Sequence, residues 1–211
     1  MDDGIEIRAI RPDDLDTAIE VLARAFQDDP GAVIIEPDPA ARHHADRTLF
    51  APVVRWAIPF GRALVAVAPQ GSIVGVATFV PAGHSIASDE EMVAAGVLAA
   101  VAAVPAAAAR MEPMVGYLEQ LHASAIDGPH ARLEFFGVDP AVQGSGVGGR
   151  LIDAGHATID AHGERCYLET FTPKNVAFYE KRGYRVAIEG VVPGTGVPVW
   201  GLIREAVTEP A

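Results

Sequence analysis

Gln143-Gly144-Ser145-Gly146-Val147-Gly148-Gly149-Arg150 puts four glycines within six residues, a pattern suited to holding a bulky anion. Glycine has no Cβ, so the backbone can approach such a ligand closely. The segment leads from a strand-like stretch, 133–138, into a helix-like one, 146–162. The N–H groups of a first helical turn have no intrahelical partner, and the helix dipole favours negative charge beside them. A phosphate or pyrophosphate fits that chemistry. The plainer alternative is a glycine-rich turn that only reverses the chain.

Two phosphate motifs can be compared with the loop. Gly144, Gly146 and Gly149 satisfy G-x-G-x-x-G, and Glu169 lies 20 residues beyond Gly149, as a dinucleotide fingerprint requires. Against this, 139–143 separates the strand from the glycines, and only 42 residues follow Glu169. That is too little chain for the rest of a doubly wound sheet. A nucleoside-triphosphate loop fails because no Gly-Lys-Ser/Thr closes the run.

The elements that must position the loop follow from periodicity. Residues 5–10 alternate apolar and polar, predicting an edge or outer strand. Pro12, Asp13 and Asp14 open a helix whose apolar face is Leu15, Ile19, Leu22 and Phe26, and Asp28-Asp29-Pro30 ends it. A second helical segment falls within 40–57, and 62–68 with 72–80 form a hairpin about Pro69-Gln70-Gly71. Residues 88–124 read as a helical insertion. Strands follow at 133–138, 165–171, 184–191 and 197–204, with helices over 146–162 and 174–182, the latter stopped by Gly183. The expected fold is α/β (α+β): a mixed, mostly antiparallel central sheet with helices on both faces and a helical insertion between the third and fourth strands. One domain spans 1–211, with the insertion at about 81–128 and the ligand-binding core at about 130–190.

The stretch LEFFGVDPAVQGSGVG, Leu133 to Gly148, resembles the acetyl-CoA motif Q/R-x-x-G-x-G/A of the GNAT superfamily of N-acetyltransferases, with Gln143, Gly146 and Gly148 on the motif positions. YLETFTPKNVAFYEKRGYRV is similar to the second half of the same fold, with Asn175, Tyr179 and Gly183 in the expected places. Within the superfamily this half looks most like puromycin N-acetyltransferase. The resemblance implies acetyl-CoA as co-substrate, its pyrophosphate on the backbone from Gly144 through Ser145, Gly146, Val147 and Gly148 to Gly149. It further implies that the pantetheine arm runs beside Phe136, Gly137 and Val138, with the Val138 N–H available to an oxyanion. Many relatives carry Lys or Arg where Ser145 stands; Arg150 is the local replacement.

The resemblance also implies roles for side chains. Tyr179 is the expected general acid that protonates the departing thiolate, since a phenol with a pKa near 10 stays protonated beside a thiol near 8.5. From the residues alone, Tyr179 is as well explained by packing. Asn175 is expected to bond the cofactor; its alternative is a cap or first-turn residue. Glu169, ending the strand next to the cofactor strand, is the first candidate for the base that deprotonates the amine; Glu134 is second and His130 third. Each is equally compatible with a structural ion pair.

Composition narrows the partners. Lys plus Arg number 16 against 28 Asp plus Glu, a net charge of −12, which disfavours nucleic acid and favours a cationic small molecule. Cys166 is the only cysteine, so no disulfide framework exists, and its alternation with Leu168 and Thr170 predicts a core position. The adjacent His43 and His44 lack a third ligand, so no metal is expected. The acidic start carries no signal-peptide pattern, and a cytoplasmic protein is expected. Residues 92–109 are 18 consecutive apolar residues, but ten are Ala and Pro105 interrupts them. Val93, Val97, Val101 and Val104 form a single stripe, predicting a helix packed on the main body over the acceptor site rather than a membrane span. Dimers are common for this fold, which leaves a homodimer open. The resulting function is amine N-acetylation by direct transfer in a ternary complex. The alternatives are a non-catalytic acyl-CoA sensor on the same fold and a small Rossmann-type NAD or flavin oxidoreductase.

Overall fold

The computed structural model describes residues 4–84 and 90–207. The alternating start forms β1 (Glu6–Ala9), on the edge of the sheet as expected. Helix α1 (Leu15–Phe26) follows and buries Ala18, Ile19, Val21, Leu22 and Ala23. Asp29-Pro30 ends α1 but also starts another helix, α2 (Pro30–Ile35), because Asp29 accepts the Gly31 N–H at 2.8 Å and proline is tolerated in a first turn. Asp38 and Pro39 repeat the device for α3 (Pro39–Ala57).

The predicted hairpin is β2 (Ala63–Val67) with β3 (Ile73–Val80), both wholly buried. In β2, Leu64 and Ala66 face one core while Ala63, Val65 and Val67 face the other, so apolar matter covers both sheet faces.

The insertion differs from a continuous helix. Residues 88 and 89 lie outside the described residues; from there the chain forms α4 (Glu90–Ala94), α5 (Val97–Ala103) and α6 (Pro105–Ala125). Gly96, at φ +104°, separates the first two, and Pro105 starts the third after a bend of 119°. These breaks end the period that generated the valine stripe. Val93 is half exposed, and the insertion instead buries Met92, Ala100, Ala107, Met114, Leu118 and Leu121. Arg110 ties α6 to α2 by donating to the Ile35 carbonyl at 2.6 Å and pairing with Glu36. Among the described residues, no single helix is long and apolar enough to cross a membrane.

The second half is β4 (Ala131–Val138), α7 (Val147–Asp160), β5 (Cys166–Thr170), α8 (Pro173–Glu180), β6 (Tyr184–Val191) and β7 (Pro198–Arg204). Among the described residues seven strands form one sheet in the order β1-β2-β3-β4-β5-β7-β6. Every neighbouring pair is antiparallel except β4 and β5. Helix α1 packs on one face through Leu22 and α7 on the other through Leu151. One parallel pair is incompatible with a doubly wound parallel sheet, which removes the dinucleotide fold.

Candidate active site

The parallel pair is also where the sheet opens. β4 and β5 are in register only at Ala131 with Cys166 and Arg132 with Tyr167. Beyond that point the strands part. On its other side β4 carries an extra residue: Leu133 opposes Phe79 and Phe135 opposes Thr78, leaving Glu134 as a bulge. A bulge bends its strand and redirects side chains. Between the parted strands lies a cavity of about 1150 Å³, walled by β4, the glycine loop, α8, α1–α3 and the insertion.

The glycine loop closes one end. Asp139 fixes its start, accepting from the Ala141 N–H at 3.0 Å and pairing with Arg24 of α1 at 2.6 Å. Gln143 donates to the Val138 carbonyl at 3.1 Å, folding the loop back on β4. Gly144 at φ +80° and Gly146 at φ +94° are left-handed, and open space lies where each Cβ would stand. Gly146 is the N-cap of α7 and provides no side-chain cap, so the turn presents its N–H groups outward. This geometry suits a pyrophosphate. Gln143, Gly144, Gly146, Gly148 and Gly149 line the cavity with Phe136, Gly137 and Val138. Three other expected residues do not. Ser145 turns its hydroxyl to the Val142 carbonyl at 2.6 Å, Val147 enters the core, and Arg150 donates to the Ile5 carbonyl.

The cation sought inside the loop comes from elsewhere. Arg182, just beyond α8, lies against Gly149; a Cβ there would meet its Nη2 at 2.5 Å. Its guanidinium stacks on Phe178 with Cζ 3.9 Å from the ring centroid, and Nη1 donates to the Phe178 carbonyl at 3.0 Å. Lys174 and Lys181 join it on the cavity wall. Sequence reasoning missed these because it searched the loop for charge, whereas the fold brings the charge from α8 and the residues just after it.

Helix α8 also presents Asn175 and Tyr179 to the cavity. Asn175 donates to the Thr170 hydroxyl at 3.1 Å, while the cap position belongs to Thr172. Tyr179 is nearly buried among Phe136, Phe178 and Tyr184, and burial raises its phenol above the ordinary value. The phenol therefore stays protonated at neutral pH.

At the other end Arg132 gathers three carboxylates. It reaches Glu119 at 2.7 Å, Glu134 at 3.3 Å and Glu169 at 3.1 Å. Burial alone would lower its pKa, but Glu134 and Glu169 hold it protonated. Burial raises Glu169 against the opposing pull of Arg132. Glu134 Oε2 and Glu169 Oε1 are buried without a hydrogen-bond donor, and both residues line the cavity. His130 does not; its Nε2 meets His122 Nε2 at 2.6 Å, and its Nδ1 faces the Gly128 carbonyl. Cys166 is a core residue whose thiol burial pushes up to about 11.

Two further acids on the wall were not singled out by the sequence. Asp29 caps α2, and Asp46 stands on α3 beside Phe50. Among the described residues no group of three or more His, Cys, Asp or Glu is arranged to hold a metal ion.

The comparisons accord with this geometry. A family profile described as an acetyltransferase (GNAT) domain matches residues 60–186. A solved structure from Corynebacterium glutamicum, described as histone acetyltransferase HPA2 and related acetyltransferase, superposes with a TM-score of 0.68 at 19% identity, covering 99% of both chains. An agmatine N-acetyltransferase in its apo form gives 0.66 at 16% identity, over 96% of this chain and 100% of that one. Arylalkylamine N-acetyltransferase 2 from Aedes aegypti gives 0.66 at 14% identity, over 96% and 99%.

Proposed function

The chain belongs to the GNAT acetyltransferase family and is an acyltransferase; from that premise we propose that it transfers an acetyl group from acetyl-CoA to a primary amine of a small molecule, directly, in a ternary complex. The observation that carries the reading is the polarity of one continuous cavity. Its loop end is cationic, with Arg182, Lys174 and Lys181, and its far end holds carboxylates in apolar walls. An anionic cofactor and a cationic acceptor would enter such a cavity from opposite ends.

Acetyl-CoA, when bound, supplies the activated thioester. The backbone from Gly144 to Gly149 and the Arg182 guanidinium would hold its pyrophosphate. Phe136, Gly137 and Val138 would flank the pantetheine where β5 no longer pairs. Tyr179 would give its proton to the thiolate. Glu169, or Glu134 beside it, would take the proton from the incoming ammonium; burial has made Glu169 a stronger base than a free carboxylate.

The named neighbours act on agmatine and arylalkylamines, and the similarity of the C-terminal half to puromycin N-acetyltransferase points to an aminonucleoside; all are amines of modest size. Net charge and cavity carboxylates favour such acceptors over nucleic acid. The test is an acetylation screen over small amines that detects released CoA thiol. Turnover of any amine supports the reading; acetyl-CoA binding without turnover of any would overturn the small-amine acceptor.

A further inference from the structure

Asp46 is 1% exposed, yet no described group donates a hydrogen bond to it, and its Oδ2 is buried without a partner. It faces the cavity among Phe26, Leu49, Phe50 and Val53. The cation one helical turn away, Arg42, is committed elsewhere. Its Nε, Nη1 and Nη2 donate to the carbonyls of Glu36, Gln27 and Pro37. The other charged group acting on Asp46 is Asp29, of like sign. A polar group buried without a partner costs free energy, and a carboxyl in apolar walls more so. Burial pushes the Asp46 carboxyl up to about 7, Arg42 opposing and Asp29 adding to the rise. A leucine or alanine would fill the same helix position without that cost. The folded protein keeps the acid at a cavity wall.

The chemistry selects what that ligand is. A reacting amine must be neutral to attack, and in the transfer reading its proton goes to the carboxylates at Arg132, at the apex where β4 and β5 part. Asp46 stands on α3, outside that cluster. Asp46 suits a cation that stays a cation through the reaction. We propose that Asp46 anchors a second cationic centre of the acceptor, so that the preferred substrates carry two basic groups, as a diamine or an aminoalkyl guanidine does. The inference rests on the acetyl-transfer reading for the first nitrogen and adds the recognition of the second.

The test compares a linear diamine with the monoamine of equal carbon number, in wild type and Asp46→Asn. Wild type should prefer the diamine in kcat/KM. Asp46→Asn should reduce that preference about 10–100-fold, the worth of a hydrogen bond to a charged group. The loss should fall mainly on KM. An unchanged ratio overturns the inference, as does an equal fall in kcat on both amines, which would place Asp46 at the reacting nitrogen. If no amine is acetylated, the transfer reading fails, and binding alone decides this one. The diamine should then raise the melting temperature of wild type but not of Asp46→Asn, and equal shifts refute the anchor.

Discussion

Arg132 Nη2 and Glu169 Oε2 meet at 3.1 Å where β4 and β5 stop pairing, so the ion pair stands at the apex of the opening. The apex is also where an incoming amine would come closest to both strands. Burial and the like charge of Glu134 beside it raise Glu169 against the pull of Arg132, towards accepting a proton. Glu169→Gln is expected to lower kcat about 10²-fold, within the range for a lost general base. Steady-state kinetics on an accepted amine measure it; a larger loss in Glu134→Gln would assign the base to Glu134.

Tyr179→Phe should retain acetyl-CoA binding and lower kcat about 10²-fold. Burial raises the phenol above its ordinary value, so its deprotonation should not limit the rate at any pH up to about 10. A variant equal to wild type in kcat would remove Tyr179 from the mechanism.

In the proposed reading the loop and Arg182 would divide the recognition of acetyl-CoA between backbone and charge. Gly146→Asp adds bulk at φ +94° and negative charge where an anion must lie, and should abolish the thermal shift given by acetyl-CoA. Arg182→Ala should weaken acetyl-CoA binding about 10-fold and flatten its dependence on salt. Titration calorimetry at two ionic strengths reads both. Equal affinity of Arg182→Ala and wild type would show that the guanidinium serves only its contacts with Phe178 and Asp153.

Stability should carry the signature of Asp46. Its folded pKa of about 7 lies above the unfolded value of 3.8, so between those values the native state binds more protons than the unfolded state. Stability therefore falls as pH rises through this window. The full shift corresponds to about 4 kcal/mol above pH 7, an upper bound that cavity water reduces. Asp46→Asn should melt higher than wild type at pH 8, with the gap closing towards pH 5. Thermal denaturation across that range would contradict the unpaired carboxyl if the gap did not depend on pH.

Val101 lines the cavity from α5, which packs on α3. Val101→Phe should change KM for the amine by about 10-fold while leaving the affinity for acetyl-CoA close to wild type. The reverse pattern would place the insertion over the cofactor.

Some of this was legible in the chain and some was not, for physical reasons. The glycine loop could be read because its chemistry is local: left-handed glycines and a helix start need only neighbours in sequence. The hairpin and the apolar face of α1 were legible for the same reason. Asp46 was not. In AARHHADRTLF it reads as one more polar residue of a solvated helix, and only its packing on α1 and at the cavity wall shows it buried. Val93, Val97 and Val101 of the valine stripe line the cavity, but the path of the insertion was not legible, because periodicity carries no information about Gly96 and Pro105 redirecting the axis. Arg182 and the two-rung contact of β4 with β5 are products of topology, which no local pattern encodes.

That short contact has a mechanical meaning. The backbone ladder divides into two panels, β1-β2-β3-β4 and β5-β7-β6, laced together by two residue pairs while every other seam is longer. Backbone amides beyond Arg132 on the open edge of β4 have no neighbouring strand on that side. A linear ligand lying there would act as a splint, turning two panels into one. Amide exchange should then slow upon binding along the open edge and at the Ala131 and Arg132 rungs, more than in the β2–β3 hairpin. The protein would borrow its cofactor's backbone-like amides as the missing strand, and part of its rigidity would come and go with each turnover.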